Sequence, residues 1–276
     1  MTDTQRTLPE QWLLGTTYRL QGELALEDVA NAGLQCIELT FHGLDMHSAA
    51  IRRQLEETVG AAQRHGLAVW SMHLPFGEEW DPSTLNAGIR DAMIGNIRDI
   101  FQLAQRLGIG RLVYHPSYEP IRPEEREERI AACISNLHTL GTEAQSHGVR
   151  LAVECLPRTC LANTASEMAR LLEAHPGLGI CCDVNHLLQE PPEQFIRKLG
   201  ASIVTTHISD NDGMDEKHWL PGKGVLSWNA IIRALSETGY QGAFMYELRD
   251  CPPDRLKTNW QRLLEDYRAV DLNEQK

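Results

Sequence analysis

Five acidic or imidazole residues each close a short apolar segment of this sequence. The segments are RLVYH, LAVE, GICCD, IVTTH and AFMYE, which end on His115, Glu154, Asp183, His207 and Glu247. Short apolar runs of this kind are typical of buried parallel strands, and the charged residue then lies at the carboxyl end of its strand. In a closed α/β barrel all of these ends meet at one mouth, where active sites lie. We therefore expect the five side chains to gather at one site.

Four of these residues predict a metal site. Neighbouring strands stand about 4.8 Å apart, so side chains that end strands five to eight can reach one ion; these are Glu154, Asp183, His207 and Glu247. Three carboxylates and one imidazole favour a hard divalent metal, first Mn²⁺, with Mg²⁺, Co²⁺ or Zn²⁺ as alternatives. Each carboxylate could instead cap a helix or pair with a basic residue. Clustered carboxylates are costly without a cation, which favours the metal site.

Further residues near the strand ends are candidates for substrate contacts. The histidines His73, His115, His186 and His218 could bind additional metal ions, hydrogen-bond hydroxyl groups or orient the metal ligands. Trp219 could contact the apolar face of a sugar and Arg158 an anionic group, with core packing and surface solvation as the respective alternatives. We interpret the other histidines as surface residues, namely His42, His47, His65, His138, His147 and His175.

Eight predicted strands alternate with eight predicted helices. The strands are expected at residues 13–18, 35–41, 67–73, 111–115, 149–155, 179–183, 202–207 and 243–247. The helices are expected at residues 26–32, 48–65, 86–107, 123–147, 166–174, 192–199, 228–238 and 255–270. This alternation predicts a single (β/α)8 TIM barrel, closed and parallel, with its helices outside. An open doubly wound sheet would normally carry a GxGxxG turn after the first strand, where this chain reads GTTYRLQGELAL.

Composition favours one globular domain over residues 1–276, with its core at about 12–270. The formal net charge of −12 disfavours nucleic acid as a partner. Seven cysteines without a CxxC pair indicate free thiols in a reducing compartment. The polar N-terminal segment does not resemble a signal peptide, and no apolar run approaches the ~20 residues of a membrane span. We therefore expect a cytoplasmic protein without a membrane partner.

Seven motifs, in this order, resemble the xylose isomerase-like barrel superfamily: HLP, YHP, VEC, CDVNH, THISDNDG, HWLPGKG and YEL. The resemblance covers residues 14–250 of a superfamily that contains sugar isomerases, ketose epimerases and endonuclease IV repair enzymes. It implies that one metal is held by the four residues identified above, that Glu154 and Glu247 form the acid/base pair, and that His186 contacts substrate. No clear arginine stands in the strand-seven segment, where ketose 3-epimerases hold their substrate.

The endonuclease IV branch uses three zinc ions and additional histidines. Much of that pattern is matched by His73, His115, His186 and His218, and Glu216 stands where an aspartate ligand is expected. Many sugar-acting relatives keep such histidines too, so these residues discriminate poorly between the branches. The acidic net charge and the absence of evident basic DNA-binding loops make a repair nuclease the less favoured interpretation.

The favoured function is therefore that of a metal-dependent sugar isomerase or epimerase. Such an enzyme moves a proton alpha to a carbonyl through an enediolate, here with Glu154 and Glu247 as the acid/base pair. The alternative is a keto-sugar or cyclitol lyase or dehydratase, because proton removal beside a ketone can also expel a leaving group. The expected partner is a small-molecule sugar or sugar derivative, and a homodimer or homotetramer fits the resemblance.

Overall fold

A computed structural model describes residues 6–274 of the chain, with side chains described up to residue 270. Eight strands form the sheet: β1 (Leu13–Arg19), β2 (Cys36–Thr40), β3 (Ala68–His73), β4 (Arg111–Tyr114), β5 (Arg150–Glu154), β6 (Gly179–Asp183), β7 (Ile203–His207) and β8 (Ala243–Tyr246). Their order is β7-β6-β5-β4-β3-β2-β1-β8, and every paired neighbour is parallel. Just beyond β7, the N–H of Ile208 donates to Met245 at 2.8 Å, and that of Glu247 donates to Ile208 at 3.1 Å. These bonds join β7 to β8 and close the barrel.

Eight α-helices follow the strands in alternation. They are α1 (Leu26–Asn31), α2 (Ala49–Arg64), α3 (Ala87–Leu107), α4 (Arg126–Ser146), α5 (Ala165–Leu172), α6 (Pro192–Leu199), α7 (Trp228–Glu237) and α8 (Pro253–Glu274). The predicted (β/α)8 TIM barrel is therefore confirmed. The prediction of a helix from residue 123 was wrong by one turn, because Pro123–Glu125 forms a separate 3₁₀ turn before α4.

The ends of α3 show how the sequence sets an element's length. The side chain of Asn86 accepts hydrogen bonds from the N–H groups of Gly88 and Ile89, which would otherwise lack partners in the first turn. Gly108 ends the helix in the left-handed region, at φ 70°, which glycine adopts at little cost. These two residues thus set the start and the end of α3, which is followed by β4.

Small side chains fill the barrel interior beneath its mouth. Two apolar groups lie there: Cys36 with Ala243 and Met245, and Val113 with Ala152 and Cys181. Since strand side chains alternate between faces, residues two positions further along point into the same interior, and these include the predicted metal ligands. Gly15 fits this crowded space, since a Cβ there would lie 2.6 Å from the sulfur of Cys36.

The loop of residues 209–226 is fixed by one buried carboxylate. Asp210, which is 0% exposed, accepts hydrogen bonds from the N–H groups of Gly222 at 2.8 Å and Leu226 at 3.2 Å. It also accepts from the indole N–H of Trp228 at 2.9 Å. Gly224 packs so closely here that a Cβ would lie 2.0 Å from the carbonyl oxygen of Asn211. The long loop therefore has a defined course.

The structure also tests the predictions made for the histidines, the cysteines and membrane-crossing helices. The interpretation of His175 as a surface residue was wrong: it is 8% exposed, and its Nδ1 accepts the N–H of Gly177 at 3.0 Å. The seven cysteines are all free thiols, six of them buried. Within residues 6–274, no helix has the length and hydropathy that a membrane crossing requires.

Candidate metal centre and active site

Four predicted ligands converge at the mouth of the barrel. Glu154, Asp183 and His207 are the last residues of β5, β6 and β7, and Glu247 directly follows β8. Each offers a ligand atom, and these atoms all lie within 4.8 Å of one another. The Nδ1 of His207 lies 3.0 Å from Glu154 Oε1, 3.2 Å from Glu247 Oε2 and 3.9 Å from Asp183 Oδ2. One ion can therefore be reached by all four side chains.

Two carboxylate oxygens in this group are buried without a hydrogen-bond donor. Asp183 Oδ2 and Glu247 Oε2 have no hydrogen-bond partner among the described residues. Each has an imidazole nitrogen nearby, at 3.1 Å for His186 and 3.2 Å for His207, but not in hydrogen-bond geometry. Unsatisfied buried oxygens are costly, and a cation would satisfy both. Three carboxylates and one imidazole are a donor set suited to a divalent metal, so these residues fit one.

Two histidines contact the other oxygen of Glu154. The Nε2 atoms of His73 and His115 each lie 3.1 Å from Glu154 Oε2. The Nδ1–H of His73 donates to the carbonyl oxygen of Leu74 at 2.7 Å, which turns its Nε2 toward the carboxylate. The ring of Phe76 stacks on His115 with centroids 4.7 Å apart. His73, His115 and Glu154 form a second set of potential metal ligands that shares Glu154 with the first.

A third set consists of His186, Glu216 and His218. The Nε2 of His186 lies 2.7 Å from Glu216 Oε2, and its Nδ1 lies 3.1 Å from the carbonyl oxygen of Cys155. The Nδ1 of His218 lies 3.2 Å from the carbonyl oxygen of Glu247. The structure therefore brings both loop residues to the four strand-end ligands.

Arg158 contacts carboxylates of the protein itself. Its guanidinium lies 2.6 Å from Glu119, 2.9 Å from Asp215 and 3.1 Å from Glu216. It thus orients Glu216 and has three anionic partners before any substrate binds. Trp219 lies on the same loop with 40% of its surface exposed, and its backbone pairs with Asp210.

The pKa values of two neighbouring groups, Asp183 and His186, are both raised, for different reasons. Burial raises the pKa of Asp183 to about 8, although the nearby His186 opposes the shift. Burial alone would lower the pKa of His186, but the charges of Asp183 and Glu216 outweigh it and raise that pKa to about 10. Both groups thus bind protons more tightly than usual. A cation in the site would compete with those protons.

The two candidate acid/base residues are held ionised. Burial would raise the pKa values of Glu154 and Glu247, but the charge of His207 outweighs it and lowers both. An ionised carboxylate can accept a proton, which is the state that a general base requires.

One buried carboxylate that contacts the site was not predicted from the sequence. Glu38, in the middle of β2, is 0% exposed, and its Oε1 lies 2.7 Å from His207 Nε2. Its Oε2 accepts a hydrogen bond from the hydroxyl of Ser71 at 2.6 Å. The sequence signal for it is a charged residue inside the apolar segment QCIELTF, away from the end of the strand.

A pocket of about 670 Å³ lies beside this group, at the carboxyl ends of β2 and β3. Its lining includes His73, which contacts Glu154, together with the apolar side chains of Met46, Phe76 and Trp80. Pockets of about 300–1,000 Å³ with apolar walls and a few polar groups are typical of small-molecule sites. The site therefore has room for a substrate next to the carboxylates.

Several known proteins are similar to this chain. D-psicose 3-epimerase of Enterocloster bolteae is 28% identical over 226 residues, which are 76% of this chain and 73% of that protein. Fructoselysine 3-epimerase of Escherichia coli O157:H7 is 28% identical over 142 residues, about half of each chain (49% and 51%). The crystal structure of a D-tagatose 3-epimerase-like protein superposes with a TM-score of 0.77 at 22% identity, covering 95% of this chain and 99% of that one. That structural match concerns the fold.

The family assignment has a wider basis than any single relative. A profile of the xylose isomerase-like TIM barrel matches residues 26–267, a span that begins with α1 and ends within α8. The eight strands, the closure between β7 and β8 and the ligands at the strand ends all lie in or beside that span. This chain belongs to the xylose isomerase-like TIM barrel family.

Proposed function

We propose that this protein is a divalent-metal-dependent isomerase or epimerase that acts on a sugar or sugar derivative. The observation that carries the proposal is the convergence of Glu154, Asp183, His207 and Glu247, with two buried carboxylate oxygens that have no donor. Relatives that are sugar epimerases support the choice of substrate class. Mn²⁺ is the metal we expect, because oxygen ligands outnumber nitrogen in this set.

In this proposal the four side chains hold the ion, and two of them also handle protons. The bound ion would stabilise negative charge on the substrate oxygens beside the carbon that loses its proton. Glu154 and Glu247 lie 3.0 and 3.2 Å from the same nitrogen of His207 but come from strands separated by β6 and β7. One carboxylate can thus accept a proton from the substrate carbon. The other, once it has taken up a proton from water, can deliver one from a different direction, as epimerisation requires. Asp183 and His207 then serve only as ligands.

The surrounding histidines are proposed to position the substrate. His73 and His186 each donate one N–H to a backbone carbonyl, of Leu74 and Cys155 respectively. These bonds fix the rings so that the second nitrogen points into the site. The pocket that His73 lines could then hold the part of the sugar remote from the reacting carbon.

The test is metal analysis of the purified protein followed by incubation with ketoses and cyclitols in D₂O. The Mn²⁺-loaded enzyme should incorporate deuterium without bond cleavage. Glu154→Gln and Glu247→Gln should each lower exchange by at least about 100-fold, the usual scale for losing a general acid or base. Glu143→Gln, on an exposed face of α4 where it pairs with Arg98, is the matched control and should retain full exchange. Near-normal exchange in both active-site variants would contradict the assignment.

Two other outcomes would replace the proposed reaction. Formation of an unsaturated product would indicate a keto-sugar or cyclitol lyase on the same carboxylates. Nicking of abasic DNA would indicate a repair nuclease, for which the three ligand sets described above would then hold the metals. The formal net charge of −12 stands against the second outcome.

A further inference from the structure

Glu38 is a buried carboxylate with no part in the proton transfer described above. It lies within β2, two residues beyond the apolar Cys36, and is 0% exposed. Burying a carboxylate is costly unless it is hydrogen-bonded. Glu38 has two such bonds, one to the hydroxyl of Ser71 at 2.6 Å and one to His207 Nε2 at 2.7 Å. Both oxygens of Glu38 therefore accept a hydrogen bond, and one of the donors is His207, a candidate metal ligand.

The contact with Glu38 keeps a proton on one nitrogen of the His207 ring. A carboxylate oxygen only accepts, so the bond to Glu38 places an N–H at Nε2. Nδ1 also faces carboxylates, with Glu154 at 3.0 Å and Glu247 at 3.2 Å, so both nitrogens have acceptors in the metal-free protein. Because a divalent ion would replace the proton on Nδ1, the bond to Glu38 leaves Nε2 as the nitrogen that keeps its proton. Histidine ligands of metals typically donate their second N–H to a carboxylate in this way.

We propose that Glu38 is a positioning residue that fixes the ring orientation of His207 and holds the proton on Nε2, so that Nδ1 is the nitrogen available to a divalent ion. The inference rests on the metal site of the proposed function. Ser71 contributes to the same arrangement, since its hydroxyl donates to the second oxygen of Glu38 and so orients the first toward His207. Without Glu38, the Nε2–H of His207 would lose its acceptor, and the ring would no longer be held with Nδ1 toward the ion.

A purely structural role for Glu38 predicts a different result. If the pair with His207 only stabilises the barrel, its removal should lower the free energy of unfolding of the metal-free protein and leave the intrinsic affinity for metal unchanged. A positioning role predicts weaker metal binding in a folded protein. Metal affinity therefore separates the two roles.

The experiment titrates chelator-treated wild type, Glu38→Gln and Ser71→Ala with Mn²⁺ by calorimetry. Glu38→Gln should bind Mn²⁺ about 10–100-fold more weakly, the typical loss on removing such a carboxylate, and Ser71→Ala should shift the affinity in the same direction by less. Glu143→Gln again serves as the control and should match wild type.

Each outcome decides the inference. Wild-type affinity for Mn²⁺ in a folded Glu38→Gln protein overturns it. If Glu38→Gln does not fold, unchanged affinity in folded Ser71→Ala overturns it and weakened affinity supports it. Mn²⁺ binding without sugar turnover in wild type would refute the proposed function alone, whereas a wild type that binds no divalent ion refutes both.

Discussion

The metal-free protein should lose stability between pH 5 and pH 8, and a divalent ion should restore it. The pKa of Asp183 is raised to about 8, from about 3.9 in an unfolded chain. Between these values the folded state binds more protons than the unfolded state, so the free energy of unfolding falls as pH rises. His186, with its pKa raised to about 10, acts in the same direction above its unfolded value of about 6.5.

The size of the effect follows from these pKa shifts. One pKa unit corresponds to about 1.4 kcal/mol, so Asp183 alone would contribute up to about 4 kcal/mol over this pH range. His186 would contribute about 2 kcal/mol on the same basis. The two groups lie 3.1 Å apart and titrate as a pair, so their contributions do not add. We expect a net loss of about 2–4 kcal/mol.

Urea denaturation at pH 5 and pH 8, with chelator and with excess Mn²⁺, measures this loss. Because metal and protons compete for the same atoms, the gain on adding Mn²⁺ should be larger at pH 8. Asp183→Asn removes the titrating carboxyl and should flatten the pH dependence as well as the response to Mn²⁺. Equal stability of the metal-free protein at both pH values, or an equal gain from Mn²⁺ at both, would refute the reasoning.

The loop of residues 209–226 gives three further predictions. Asp210→Ala removes an acceptor shared by several buried donors and should lower the free energy of unfolding by about 3–5 kcal/mol in urea denaturation; a change below about 1 kcal/mol would contradict that role. Gly224→Ala forces a Cβ to within 2.0 Å of a carbonyl oxygen, so its melting temperature should fall, while Gly66→Ala, with open space but φ +74°, should cost less. Arg158→Ala should change global stability by less than about 1 kcal/mol, since its ion pairs are partly exposed. Amide hydrogen exchange should nevertheless accelerate around Glu216.

The fold could be predicted because each buried strand has its own apolar segment. LAVE and GICCD each end on a predicted ligand, and β5 and β6 end on the same residues, Glu154 and Asp183. The start of α4 could not be placed as well, because the residues PEE are compatible with both α-helical and 3₁₀ geometry.

The site could be predicted as far as strand ends determine it. Parallel strands bring their carboxyl ends to one mouth, so the convergence of Glu154, Asp183, His207 and Glu247 required no contact information. The role of Glu38 was not predicted, because Glu38 lies within its strand and not at the strand end. Its contact with His207 crosses the barrel interior and is visible only in the structure. The ion pair between Arg158 and Glu216 was not predicted for a related reason. The two residues lie in different loops, which come close together only in the folded barrel.

The charges of the site suggest how its parts depend on one another. Five carboxylates meet five imidazoles here: Glu38, Glu154, Asp183, Glu216 and Glu247 with His73, His115, His186, His207 and His218. One divalent ion cancels two of the five negative charges, and Arg158 on Glu216 cancels a third.

Protons on two imidazoles can supply the remaining positive charge. His73 and His186 each have acceptors at both nitrogens, and neighbouring carboxylates outweigh burial to raise the pKa of each. His207 also has acceptors at both nitrogens, and the negative charges around it outweigh burial and raise its pKa. A first ion must therefore displace the proton on Nδ1 of His207, while the contact with Glu38 keeps the other proton on Nε2. Further ions at the other ligand sets would have to displace the protons of His73 and His186, which ties metal occupancy to pH.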